Sequence, residues 1–162
     1  MELIDLKINQ DVEIFSSFHE INQQQVPKVG SLSLEDFLNL IKISNISYGF
    51  MKKGICLGFI ICLRENTNYQ SINYKFFQKR HNKFFYIDRI AIANEYQSSG
   101  IGSNFYKKLL SIKDRFNIPI CAEVNIDPLN ELSINFHRKF GFSNITERTI
   151  KEGYSVVYME IE

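Results

Sequence analysis

The sequence has little net charge, few cysteines, no tryptophan and no long hydrophobic run. Its 19 basic and 18 acidic residues leave a formal charge of +1. That balance excludes the strongly basic face with which a protein coats nucleic-acid phosphates, so no nucleic-acid partner is expected. No apolar run approaches the roughly 20 residues a membrane helix needs, so no membrane partner is expected either. The opening MELIDLKINQ lacks the basic head and apolar stretch of a secretory signal. The three cysteines, Cys56, Cys62 and Cys121, each lie in an apolar, strand-like run, and none forms a CxxC pair. They read as small buried hydrophobes, and no neighbouring His activates one as a nucleophile. A protein of a reducing compartment follows, the cytoplasm.

What is present is an ordinary apolar fraction of 44% in 162 residues, with Phe supplying most of the aromatics. That suits a single domain over 1–162 with one core. Residues 2–8 alternate as a strand. Val12, Phe15, Phe18 and Ile21 keep helical spacing over residues 10–22. Pro27 and Gly30 break the pattern. Ser33 then reads as an N-cap for a second helix carrying Leu34, Phe37, Leu38 and Ile41. ISYGFMK and ICLGFIICL flank Lys52-Lys53-Gly54, a hairpin signal. Residues 64–83 are polar and aromatic without a clean period, either a long loop or a loop with one short helix. FFYIDRIAIA reads as a central strand, and Ile101, Phe105, Leu109, Ile112 and Phe116 mark the helix after it. ICAEV reads as a buried strand. Asn130 caps a helix over 131–140 that Gly141 closes. Two alternating runs around Lys151-Glu152-Gly153 form a last hairpin. The order is β-α-α-β-β-β-α-β-α-β-β, an α/β domain around a mixed sheet.

The sharpest local feature is Gln97-Ser98-Ser99-Gly100-Ile101-Gly102-Ser103, after a strand and opening a helix. The first helical turn exposes N–H groups without intrahelical acceptors, and the macrodipole places partial positive charge there. Gly100 and Gly102 carry no side chains, so a pyrophosphate can approach the backbone. Alone, two glycines also suit a mere tight turn. The dinucleotide fingerprint GxGxxG fails at Phe105, and the P-loop pattern fails as well.

These residues resemble the GNAT superfamily of N-acetyltransferases. Gln97 to Gly102 match that family's Q/R-x-x-G-x-G/A. Asn130, Ser133, Phe136, His137, Gly141 and Phe142 fall where the family has N-x-x-A/S-x-x-F/L-Y-x-x-x-G-F. YIDRIAI, CAEVNIDPLN, INFHRKFGF and VPKVGSL resemble one bacterial branch of it. The resemblance implies the GNAT fold, with about six to seven strands in a mixed sheet flanked by about four helices. It implies acetyl-CoA as cosubstrate, a primary amine of a small molecule or peptide as acceptor, and no metal. Backbone groups of Ile90, Ala91 and Ile92 would hold the pantetheine arm and thioester carbonyl. Amides of the Gln97–Ser103 turn, from Ser98, Ser99, Gly100, Ile101, Gly102 and Ser103, would hold the pyrophosphate. Asn130, Ser133 and Phe136 belong to the second coenzyme-binding block, where the coenzyme passes between two splayed strands.

Amine acetylation poses two proton problems. A Lys-like amine has a pKa of about 10.4, so a base must take its proton. A nearby acid can help the CoA thiolate leave, and an N–H donor stabilises the oxyanion. His137 stands where the family has Tyr; it either donates the proton or packs against its helix with one nitrogen satisfied. Asp88 and Glu123 are the carboxylate candidates, each in an apolar strand. Each is either the base, a seat for the acceptor ammonium, or half of a buried ion pair, Arg89 being the nearest cation. Alternation puts Asp88, Ile90 and Ile92 on one face and Arg89 on the other. The alternative function is a CoA-binding module that has lost catalysis. The C-terminal strands either pair across a homodimer or close within one chain.

Overall fold

The computed structural model describes residues 1–162. Strands β1 (Glu2–Asp5), β2 (Ile46–Lys52), β3 (Ile55–Arg64), β4 (Phe85–Ile92), β5 (Ile120–Asp127), β6 (Ser143–Lys151) and β7 (Tyr154–Ile161) alternate with helices α1 (Val12–Gln24), α2 (Leu34–Ile43), α3 (Ile72–Arg80), α4 (Ile101–Phe116) and α5 (Glu131–Lys139). The strands form one mixed sheet of seven in the order β1-β2-β3-β4-β5-β7-β6. The chain divides into two compact units, Met1–Leu63 with Asp88–Leu110, and Arg64–Ile87 with Ser111–Glu162. Strand β4 contributes to both.

In the first unit, both helices before the sheet begin on the side chains that cap them. Asp11 accepts from the amides of Glu13 and Ile14, and Ser33 accepts from Asp36. Each satisfies donors that the first turn leaves open. Strands β1, β2 and β3 run antiparallel, and Lys53 and Gly54 turn the β2–β3 hairpin at φ +51° and +79°. Positive φ at both turn residues gives the twist that matches paired strands. Phe18 and Phe37 each pack edge to face on Phe59, with ring centroids 6.1 Å and 5.1 Å from it. Phe18 lies so close over Gly49 that a Cβ there would sit 2.4 Å from its ring. Val12, assigned to the apolar stripe by spacing, is exposed instead. It is the first residue of α1, ahead of the turn that packs.

In the second unit, Phe85 and Tyr86 lie opposite Ile120 and Cys121 in parallel register. Strand β7 pairs antiparallel with both β5 and β6. Tyr74, Phe77, Tyr86 and Tyr158 are fully buried, and Phe76 stacks on Tyr158 at 4.1 Å. Helix α3 resolves the open reading of residues 64–83 and brings the helix count to five. Its buried face is Asn73, Tyr74 and Phe77. Two of those three carry polar groups, which is why no apolar period betrays the helix in the sequence. No helix is long and apolar enough to cross a membrane.

Candidate active site

The turn after β4 is built to present backbone amides. A single 3-10 turn over Asn94–Tyr96 is followed by Ser98 at φ +62° and Gly100 at φ +85°. Helix α4 then starts at Ile101, and the Asn104 amide closes its first turn on the Gly100 carbonyl at 3.1 Å. The N–H groups of Ile101, Gly102 and Ser103 therefore lie in the first turn, where no intrahelical acceptor exists. No acidic residue occupies that turn. The positive end of the helix is thus not neutralised from within, which suits an anion. A Cβ added at Gly100 would meet no protein atom within 4 Å. The glycine keeps the left-handed backbone and an open approach, and both fit a pyrophosphate.

Amide side chains hold this turn. Gln25 donates from Nε2 to Asn94 Oδ1 at 2.8 Å. Gln97 donates from Nε2 to Gln25 Oε1 at 3.1 Å and to Asn94 Oδ1 at 3.2 Å. Gln97 thereby ties the turn to the end of α1 by its side chain. Gln25 and Asn94 carried no signal in the sequence, because their partnership spans 69 residues of chain.

On β4 the two charged residues take different roles. Arg89 Nε donates to Asp88 Oδ2 at 2.8 Å, and both side chains are at most 7% exposed. Arg89 Nη1 also donates to Asn22 Oδ1 at 2.9 Å and to the Gly30 carbonyl at 3.1 Å. The guanidinium thus anchors the α1–α2 connection to the strand. Asp88 is the buried partner that this cation requires. Ile90 and Ile92 share the half-buried face with Asp88, while Ala91 is buried with Arg89. Gly58 of β3 allows the Ala91 carbonyl to come close, since a Cβ there would fall 2.7 Å from that oxygen.

Glu123 sits in a different setting. The Tyr86 hydroxyl donates to its Oε1 at 2.9 Å, and Asn73 Nδ2 donates to the same oxygen at 3.2 Å. Glu123 lies directly opposite Tyr158 across the β5–β7 ladder. Burial pushes the Tyr154 and Tyr158 phenols up, and the Glu123 charge adds to both shifts. A half-buried carboxylate ringed by three tyrosines and an amide is a place where a proton or an ammonium group can be received. Tyr86 falls on the same strand face as Asp88, so its inward aim follows from alternation. Asn73 gave no sign of its role, because α3 itself was not evident.

On α5, Asn130 caps the helix by accepting from the Ser133 amide at 3.3 Å. His137 is 3% exposed, and its Nδ1 lies 2.8 Å from the Ser133 carbonyl. A carbonyl only accepts, so Nδ1 carries the proton. Burial lowers the His137 pKa to about 4, against the helix hydrogen bond, which raises it. The neutral ring keeps its single proton on its own helix. It packs edge-on to Phe142 at 5.1 Å, and Phe136 packs against Phe140 at 5.0 Å. Gly141 closes the helix at φ +92°.

Two other groups of reactive side chains are engaged elsewhere. His81 Nε2, Cys121 Sγ and the Glu160 carboxylate lie within 4.8 Å of one another. Arg80 donates to both Glu160 oxygens at 2.6 and 3.0 Å, so a guanidinium supplies the charge that the buried carboxylate needs. Burial pushes the Cys62 and Cys121 thiols far up and the Cys56 thiol to about 11, which leaves none of them as a thiolate nucleophile.

The model of the Acetyltransferase (GNAT) family matches residues 15–142. No curated protein sequence is similar enough to count as a relative. Among solved structures, Ard1 from Thermoplasma volcanium superposes with a TM-score of 0.75 at 16% identity, covering 99% of this chain and 95% of that one. Arabidopsis thaliana Naa50 in complex with a bisubstrate analogue of CoA and a peptide gives 0.73 at 18% identity, covering 99% and 97%. An aminoglycoside 6'-N-acetyltransferase complexed with coenzyme A gives 0.73 at 12%, covering 99% and 96%. At these identities the structures share the fold.

Proposed function

From the premise that the chain belongs to the acetyltransferase (GNAT) family, we propose that it is an acetyl-CoA-dependent N-acetyltransferase acting, as one domain over 1–162 in a reducing compartment such as the cytoplasm, on a primary amine of a small molecule or peptide. The observation that carries this reading is the Gln97–Ser103 turn, with its first-turn amides, its open Gly100 and no carboxylate of its own. In that role, amides from Ser98 to Ser103 bind the pyrophosphate, and the backbone of Ile90, Ala91 and Ile92 runs along the pantetheine arm. Asn130, Ser133 and Phe136 form the second coenzyme-binding block. Acetyl-CoA supplies the electrophilic thioester carbonyl.

Glu123 is the better of the two carboxylates for the acceptor proton. The Asp88 oxygen is committed to the Arg89 guanidinium, whereas Glu123 Oε1 takes the Tyr86 hydroxyl and the Asn73 amide. Glu123 would seat the ammonium and take one proton. The amine nitrogen then attacks the carbonyl carbon, the N–C bond forms, and the C–S bond breaks. A thiol with an ordinary pKa of about 8.5 can leave as thiolate, and the second amine proton, shed by the N–H2+ of the collapsing intermediate, reaches that thiolate through water. His137 is therefore not required as the acid, which fits its buried, neutral state. The same state lends weight to the alternative, a CoA-binding module without catalysis.

Calorimetric titration with acetyl-CoA and desulfo-CoA, beside a free-thiol assay over a panel of amines, tests the proposal. Tight binding, weakened about tenfold or more in Gly100→Ala, and amine-dependent thiol release are expected. Binding without release from any amine favours the module. No binding by the wild type sinks both readings.

A further inference from the structure

Glu123 and Tyr158 face each other across the β5–β7 ladder, and the Asn73 side chain bridges them. Tyr158 donates its hydroxyl proton to Asn73 Oδ1 at 2.9 Å, and Asn73 Nδ2 donates onward to Glu123 Oε1. Chemistry fixes this polarity. A carboxylate only accepts, so the nitrogen of the amide must face Glu123, and its oxygen then faces the phenol. The phenol in turn has its proton directed at Asn73, because the Arg148 guanidinium approaches the same hydroxyl oxygen from β6 as a donor. Both linking residues are buried, Tyr158 completely and Asn73 to 7% exposure. A flipped amide would set oxygen against carboxylate in a site with little water to screen it.

We infer that Asn73, locked in orientation by Tyr158, is a positioning residue that holds Glu123 ionised and its carboxylate plane fixed for the acceptor ammonium. The inference deepens the proposed function and rests on the role given there to Glu123. Tyr86 on β4 also donates to Glu123, Tyr154 on β7 feels its charge, and Arg148 on β6 stands at the Tyr158 hydroxyl beside it. All three are retained in every variant below, so they form a common background against which the lock is read. A hydrogen bond to a charged group favours the ionised form by about one pKa unit or more. The lock is thus large enough to be read directly in the titration of the carboxyl group.

The experiment is a carbon-13 NMR titration of the Glu123 side-chain carboxyl in the wild type, Asn73→Ala, Tyr158→Phe and the double variant, with amide spectra confirming the fold of each. Asn73→Ala raises the Glu123 midpoint by about one unit. Tyr158→Phe, which does not remove the Asn73–Glu123 contact itself, raises it by about half as much. The double variant titrates with Asn73→Ala, since the lock has nothing left to hold. Shifts that simply add, or a Tyr158→Phe protein that titrates as the wild type does, overturn the inference. The titration needs no acceptor, so its failure is distinct from a failure of thiol release. Thiol release without the coupled shifts keeps the enzyme and removes the lock.

Discussion

Replacing Arg89 by Met removes a cation that three acceptors share. Asp88 keeps its negative charge at a site where its side chain is 4% exposed, and Asn22 Oδ1 and the Gly30 carbonyl lose the same donor. Breaking one side of a buried pair typically costs about 3–5 kcal/mol, because the remaining charge stays desolvated. For a chain of this size, each kcal/mol lowers the melting temperature by about 2–4 °C, so a fall of about 6–20 °C is expected. Replacing both members of the pair, Asp88→Leu with Arg89→Met, removes the stranded charge and recovers most of that loss. The assay is urea denaturation of the two single variants and the double variant, read as a double-mutant cycle. Coupling of less than about 0.5 kcal/mol would refute the reasoning, since it would mean that the two charges do not depend on each other. The same cycle bears on the chemistry. Should the double variant keep thiol-release activity, Asp88 is a structural partner and the base lies elsewhere.

Two predictions concern pH. His137 has a folded pKa of about 4 against an ordinary 6.5. The unfolded chain then binds the proton more tightly, and stability declines as pH falls from about 6.5 to about 4, by up to about 3 kcal/mol. His137→Phe should flatten denaturation midpoints across that window, and an unchanged slope would contradict the buried neutral ring. For Glu160, the Arg80 hydrogen bond holds the carboxyl below its usual range; burial opposes this and His81 assists. Its contribution is present above the ordinary carboxylate pKa and is lost as pH falls through the lowered folded value. Arg80→Met should start acid unfolding at a higher pH, visible in circular dichroism between about pH 7 and about pH 3.

The parts of the fold legible in the sequence are those in which one residue type does one local job. Ser33 and Asn130 cap helices, Gly54 and Gly153 turn hairpins at positive φ, and Gly100 shapes the turn before α4. Alternation also placed Asp88, Ile90 and Ile92 on one face of β4. What escaped was set by distant partners. Helix α3 hid behind a buried face that is partly polar. Asn73 gains its meaning only from two strands 50 and 85 residues away. The roles left open for His137 divide on burial, a quantity no spacing rule supplies. The same holds for the two carboxylates: both lie in apolar strands, and the partners that tell them apart, a guanidinium for Asp88 and a hydroxyl with an amide for Glu123, come from the fold.

The trio of Gln25, Asn94 and Gln97 joins the end of α1 to the turn before α4 through neutral amides alone. None of the three ionises, so this clasp exerts the same grip across the whole pH range in which an amine acceptor and a carboxylate base exchange protons. Salt does not screen it as it would an ion pair. The turn before α4 thus keeps its register with the end of α1 whatever the charge state of the titrating groups. An engineer rebuilding the end of α1 would have to carry the three amides together.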